Sequence, residues 1–222
     1  MTVPVAIMAR VPVAGRVKTR LCPPLTSDQA ARLARCFLLD RVEQLGAIAD
    51  ASPVVAFTPA DLEAELRRLL PGDVRLVPQE GADLGARLDR ILTGLLVESG
   101  AGAIAIDTDS PTVPTDYLRQ ACAHLARATA DVVLGPSEDG GYYLIGLRQP
   151  APDLFREMPW STAAVLDETV TRTRRLGLRL ALLPPWFDVD RGEDLGRLRE
   201  SVAVPGAYRP PRTLAFLDVE LA

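Results

Sequence analysis

Among the 222 residues there is a single histidine, His124. That scarcity argues against a histidine-dependent hydrolase triad and leaves carboxylates as the available general bases. His124 itself lies in a helical stretch, residues 120–127, and reads as a surface or boundary residue. Cysteine is nearly as scarce: Cys22, Cys36 and Cys122 are odd in number and lack metal-ligand spacing. Neither a disulfide framework nor a zinc site is therefore expected, and the setting reads as reducing and cytoplasmic. Cys36 and Cys122 fall within helical patterns as small apolar groups. No apolar window approaches the length of a transmembrane helix, and the N-terminal run is too short for a signal peptide, so no membrane partner is expected. A basic excess is also missing. Lys plus Arg is 25 against 29 for Asp plus Glu, a net charge of −4, which disfavours nucleic acid as a partner.

What the chain does have is an alternation of short apolar runs and amphipathic stretches. Its length suits one large α/β domain with a substantial core. Strands are expected over residues 3–8, 53–57, 74–77, 103–106, 131–135, 142–147 and 178–183. Helices are expected over about 26–45, 59–70, 115–128 and 163–176, with another that residues 78–87 lead into and that reaches about 97, and a closing helix from 191. Thr26 and Gln29 have the spacing of a capping box. No internal repeat or second-domain linker is visible. The last stretch is Pro-rich, and its apolar run over 214–221 reads as an edge strand or a subunit contact, which a homodimer would use.

The organising stretch is 103–111. Ala103-Ile104-Ala105-Ile106 reads as a buried strand, and Asp107 and Asp109 stand where it must end, because Pro111 and Pro114 cannot donate to a ladder. Carboxylates at the carboxyl end of a buried strand lie in the crevice where open α/β sheets bind ligands. Hard oxygens without a histidine or thiol nearby suit Mg²⁺ or Mn²⁺ better than zinc. The competing reading makes these acids turn residues that cap the next helix.

Other segments bear on that choice. After the first strand, Arg10, Arg16, Lys18 and Arg20 place four cations in eleven residues around Gly15. Glycine permits close backbone approach and arginine forks match phosphate oxygens, so the loop reads as a phosphate grip; a solvated basic loop is the alternative. Gln79, Gly81, Asp83 and Gly85 follow the third strand as base or ribose contacts, or equally as a turn and helix cap. Glu138-Asp139-Gly140-Gly141 either presents carboxylates at a tight turn or forms an ordinary hairpin. Asp188 and Asp190 alternate, so a strand-like stretch would turn both to one side.

These segments, taken together, resemble a bacterial family of small GT-A-fold proteins of the arsenosugar-biosynthesis glycosyltransferase type. That family is related to the molybdenum-cofactor (MobA-like) and phospholactate guanylyltransferases. The resemblance is carried by residues 12–21, by Gln79 with 81–85, by Thr108-Asp109-Ser110-Pro111, by 132–136 with 138–146, by 159–162, and by 188–190 with 193–195. Arg10 stands where the family usually has lysine, and Asp107 where it more often has glycine; Asp107 therefore inherits no metal role.

The resemblance implies a single-domain three-layer sandwich over residues 1–201, with a mixed, mostly parallel sheet, followed by the tail over 202–222. It implies a nucleotide sugar held over the carboxyl ends of the first strands. Asp109 and Asp190 are then the metal ligands for Mg²⁺ or Mn²⁺, with Arg10, Gly15, Arg16, Lys18, Arg20, Gln79 and Asp83 on the nucleotide. Asp139 is the candidate catalytic residue, with Gly140, Gly141 and Trp160 on a small-molecule acceptor; Trp160 reads equally as a core aromatic. Three functions remain open. The first is a glycosyltransferase, the second a nucleotidyltransferase that takes a nucleoside triphosphate and releases pyrophosphate, and the third a non-catalytic nucleotide-binding module.

Overall fold

The computed structural model describes residues 2–220. In chain order the main elements are β1 (Val3–Arg10), α1 (Ser27–Gly46), β2 (Ala51–Thr58), α2 (Glu63–Leu69), β3 (Arg75–Pro78), α3 (Leu84–Ser99), β4 (Ala103–Ile106) and α4 (Thr115–Ala126). They are followed by β5 (Val132–Pro136), β6 (Tyr142–Leu147), α5 (Val165–Arg175), β7 (Leu180–Leu182), α6 (Asp194–Ser201) and α7 (Pro211–Glu220). The strands form one seven-stranded sheet in the order β3-β2-β1-β4-β6-β5-β7. Every neighbouring pair is parallel except β4–β6 and β5–β6. The mixed, mostly parallel α/β sandwich expected from the sequence is therefore present.

Side-chain alternation explains the layers. In β1, Val5 and Ile7 face one side while Ala6 faces the other; in β4, Ile104 and Ile106 oppose Ala103 and Ala105. The large residues pack under α1, α2 and α4 through Leu38, Leu66 and Leu118. The alanine face, joined by Ala56, lets α3 lie close through Leu88, Ile91, Leu92 and Leu95. Both faces of the central strands are covered, which is why they read as continuous apolar runs.

The chain leaves β1 toward β2 and β3, then crosses back to place β4 on the other side of β1. The carboxyl ends of β1 and β4 flank that reversal, where an open α/β sheet leaves a crevice. The capping box at α1 is present: Thr26 Oγ1 accepts from Gln29 N at 3.2 Å, and Gln29 Oε1 from Thr26 N at 2.8 Å.

The C-terminal run corrects one expectation. It is not an edge strand but the helix α7, for which residues 214–220 of the run lie within the described residues. Thr213, Phe216 and Leu217 are buried at helical spacing, and Pro211 presets φ at the first helical position. Asp40 of α1 holds its start, accepting from Arg212 N at 3.1 Å, Thr213 N at 2.8 Å and Thr213 Oγ1 at 2.7 Å. A carboxylate borrowed from another helix thus does the work of an N-cap.

Candidate active site

The loop after β1 carries the cations onto the crevice. Gly15 has φ +73°, a conformation that glycine adopts without strain, and Lys18 is left-handed at φ 47° before a 3₁₀ turn over Thr19–Leu21. This turn aims Lys18 inward. Its ammonium lies 3.0 Å from Asp109 Oδ1 and 3.8 Å from Asp190 Oδ1, and donates to the Val189 carbonyl at 2.5 Å. Lys18 is the only lysine of the chain. Arg20 completes the group, with Nη1 2.6 Å from Asp190 Oδ2.

Asp109 and Asp190 thus meet, although they come from opposite halves of the sequence. Asp109 follows the end of β4; Asp190 belongs to the loop between β7 and α6. That loop is tied down at several points. Val189 N donates to the Asp109 carbonyl at 2.7 Å, Glu138 N to the Trp186 carbonyl at 3.1 Å, and Ser137 Oγ to Asp188 Oδ1 at 2.8 Å. The Asp194 carboxylate accepts from the amides of Asp190 and Arg191 at 2.8 and 2.6 Å, fixing the turn into α6.

Asp107 takes the turn role. Its carboxylate accepts from Asp109 N, Ser110 N and Ser110 Oγ, each at 3.2 Å. Burial pushes its carboxyl up to about 7, and the neighbouring Asp109 charge adds to the effect. Behind this turn the fully buried guanidinium of Arg41 donates to the Ser110 carbonyl at 2.6 Å and also engages Gln44. Burial lowers the Arg41 pKa; the Asp107 charge works against that shift.

Two cavities open on either side of the acidic pair. The first, about 300 Å³, is lined by Arg10, Arg16, Lys18, Arg20, Asp109 and Asp190. Arg10 Nη1 donates to the Arg16 carbonyl at 3.2 Å, closing the cationic loop on itself. The second, about 470 Å³, shares Arg20, Asp109 and Asp190 and adds Asp139, Asp188 and Trp160. Asp139 Oδ1 accepts from Gly141 N at 2.8 Å, which holds the carboxylate at the turn. Gly140 has φ +90°, and a Cβ there would run into the Ala163 carbonyl. Asp188 and Asp190 line this cavity together, as their alternation suggested. Burial raises the Asp188 pKa first of all; its Ser137 hydrogen bond opposes this and the nearby Asp139 charge adds to it. Trp160 packs edge-on against Tyr142, with centroids 6.5 Å apart and planes at 79°.

Two expected nucleotide contacts are occupied elsewhere. Gln79 Nε2 donates to the Ala56 and Ala9 carbonyls at 2.7 and 3.3 Å, holding the ends of β2 and β1. Asp83 accepts from Ala86 N at 2.7 Å as the N-cap of α3. Neither residue lines either cavity. Conversely, Ser137 and Arg41 belong to the site or its support although the sequence reading names neither, and Asp188 enters that reading only beside Asp190, without a role of its own. Asp188 was visible through its alternation with Asp190; a buried arginine in the middle of α1 gives no such signal.

The architecture has known counterparts. A candidate nucleotide-diphospho-sugar transferase from Desulfovibrio desulfuricans G20 is 30% identical, with a TM-score of 0.86 covering 98% of this chain and 95% of that one. A CMP:2-keto-3-deoxy-manno-octonic acid synthetase complexed with CTP shares the fold at 13% identity and a TM-score of 0.57, over 91% of this chain and 99% of that one. So does Rv0371c of Mycobacterium tuberculosis H37Rv, solved with manganese, at 19% identity and a TM-score of 0.50, over 90% and 100% of the two chains. No curated protein matches the sequence. The fold is that of the nucleotide-diphospho-sugar transferases. Residues 41–162 match the model of the uncharacterized proteins conserved in bacteria termed DUF2064, and the chain belongs to that family.

Proposed function

We propose that the protein is a metal-dependent glycosyltransferase that moves a sugar from a nucleotide-sugar donor to a small acceptor. The meeting of Asp109 and Asp190 at Lys18, beside a cation-walled cavity, is the observation that carries this reading. The resemblance to the candidate transferase at 30% identity supports it.

Arg10, Arg16, Lys18 and Arg20 receive the diphosphate oxygens, the arginines as planar forks and Lys18 as a point charge. Gly15 keeps the loop backbone open to the phosphates. The acidic pair fits a hard divalent cation by its donor atoms: both groups offer carboxylate oxygens, which Lys18 and Arg20 neutralise here and a cation would take over. Among the described residues no three acidic, histidine or cysteine side chains cluster as a metal site. Asp109 and Asp190 would therefore hold Mg²⁺ or Mn²⁺ together with the donor's own oxygens. When bound, the cation supplies charge stabilisation for the departing nucleoside diphosphate. Asp139 faces the second cavity, where it accepts the acceptor's hydroxyl proton or orients that hydroxyl. Trp160 forms the wall along which the acceptor lies.

Nucleotidyl transfer would use the same cations but break a different bond, with a phosphorylated nucleophile attacking the α-phosphorus. Incubation with nucleotide sugars and with nucleoside triphosphates, each with and without Mn²⁺, separates the two. Metal-dependent release of nucleoside diphosphate supports glycosyl transfer, pyrophosphate release supports nucleotidyl transfer, and metal-independent binding without turnover points to a binding module.

A further inference from the structure

Resting on that donor reading, we infer that the acceptor is a neutral or cationic hydroxyl compound that carries no phosphate of its own. The Asp109–Asp190 pair separates two cavities of opposite character. Arg10, Arg16 and Lys18 line only the first, so donor phosphates are drawn there. On the other side Asp139 and Asp188 join the shared pair, and Asp107 lies beneath. Among the residues lining that cavity, Arg20 is the single cation, and its guanidinium is already engaged by Asp190 at 2.6 Å.

The hydrogen-bonding character of the wall points the same way. Ionised carboxylates only accept, and Ser137 spends its hydroxyl proton on Asp188. Ser161 and Thr162 also line the cavity, Thr162 Oγ1 donating to the Pro159 carbonyl at 2.7 Å; a ligand group that faces the carboxylates must bring donors. Hydroxyl and ammonium groups do so; a phosphate dianion brings acceptors and like charge. Trp160, braced edge-on by Tyr142, offers a face to the apolar side of a sugar or polyol, or to an ammonium. The cavity's volume, about 470 Å³, suits a small molecule. A phosphorylated nucleophile, as nucleotidyl transfer needs, would have to approach through this acidic wall.

Two measurements test the inference. The first compares quenching of Trp160 fluorescence by caesium and by iodide, isolated as the difference between the wild type and Trp160→Phe. With each ion's quenching taken relative to its quenching of free N-acetyltryptophanamide, caesium should quench at least about threefold more strongly, since a cleft lined by one sign of charge concentrates the opposite ion. The preference should shrink in an Asp139→Asn/Asp188→Asn double variant. Equal or stronger quenching by iodide would overturn the inference while leaving the donor reading untouched.

The second measurement follows donor cleavage with matched acceptors: glycerol against glycerol 3-phosphate, and ethanolamine against phosphoethanolamine. Faster cleavage with both unphosphorylated members supports the inference, and equal or faster cleavage with either phosphorylated member overturns it. Should no nucleotide bind while the caesium preference holds, the polarity of the cavity is supported and the donor reading is the part that fails.

Discussion

The amide of Val189 donates to the carbonyl of Asp109 at 2.7 Å, joining the loop after β7 to the end of β4 by a backbone hydrogen bond. Because this bond involves no side chain, the Asp109 and Asp190 carboxylates can be altered without releasing the loops that carry them. Asp109→Asn and Asp190→Asn should therefore stay folded. Each should weaken Mn²⁺-dependent nucleoside diphosphate binding at least tenfold, about 1.4 kcal/mol. Calorimetric titration with and without metal measures this; a variant that binds with wild-type, metal-dependent affinity would remove that residue from the site.

Lys18 supplies positive charge to both carboxylates. Lys18→Met leaves them facing each other with Arg20 as their remaining close cation, on Asp190. Binding of Mn²⁺ alone should tighten in this variant, while nucleoside diphosphate binding without metal should weaken by about tenfold, the worth of one charge-assisted contact. Electron paramagnetic resonance of free Mn²⁺ reads the first effect and titration the second. Loosened metal binding would mean that Lys18 does not compete with a cation there.

Gly85, in the first turn of α3, is a packing requirement. A Cβ built there would lie 2.6 Å from the Phe155 carbonyl and 2.8 Å from Trp160 Nε1. The carbonyl cannot yield without moving its backbone. Gly85→Ala should cost about 1–3 kcal/mol, typical of overpacking, and displace Trp160. The melting temperature should fall and Trp160 emission shift, while nucleoside diphosphate binding stays near the wild-type value. Unchanged emission would show that the indole does not rest on this glycine.

At the sheet edge, Asp131 accepts from Arg179 N at 3.0 Å, Nε at 2.9 Å and Nη2 at 2.8 Å, linking β5 to the start of β7. The side-chain hydrogen bonds from Arg179 pull its carboxyl down to about 2, below the ordinary 3.8. A carboxylate with a depressed folded-state pKa binds its proton later in the native chain than in the unfolded one. Its stabilisation is thus complete above the unfolded pKa and is lost as pH falls through the folded one. The melting temperature of Asp131→Asn should lie below that of the wild type at pH 6, and the gap should narrow between about pH 4 and pH 2. A gap independent of pH would assign the effect to packing alone.

Local patterns determined a great deal of this protein. The short apolar runs of β1 and β4, the Thr26–Gln29 capping box and the glycine-punctuated turn after β5 each announce themselves within a few residues, because backbone sterics and short-range hydrogen bonds act at that range. The cationic loop from Arg10 to Arg20 and the acid at the end of β4 were legible for the same reason. The C-terminal run suits a strand in sequence because its hydrophobic residues are nearly contiguous; the helix is settled by Asp40, which caps it from α1. Gln79 and Asp83 have equal claims in sequence to a ligand and to a turn; in the fold Gln79 bonds the carbonyls of Ala56 and Ala9, and Asp83 caps α3 through Ala86 N. Only the tertiary structure could set Lys18 between Asp109 and Asp190, or put the cations of the first loop and the carboxylates of Asp139 and Asp188 on opposite sides of one acidic pair. The loops concerned are distant in sequence, and what brings them together is sheet order and long-range hydrogen bonding, neither of which is written in any single segment.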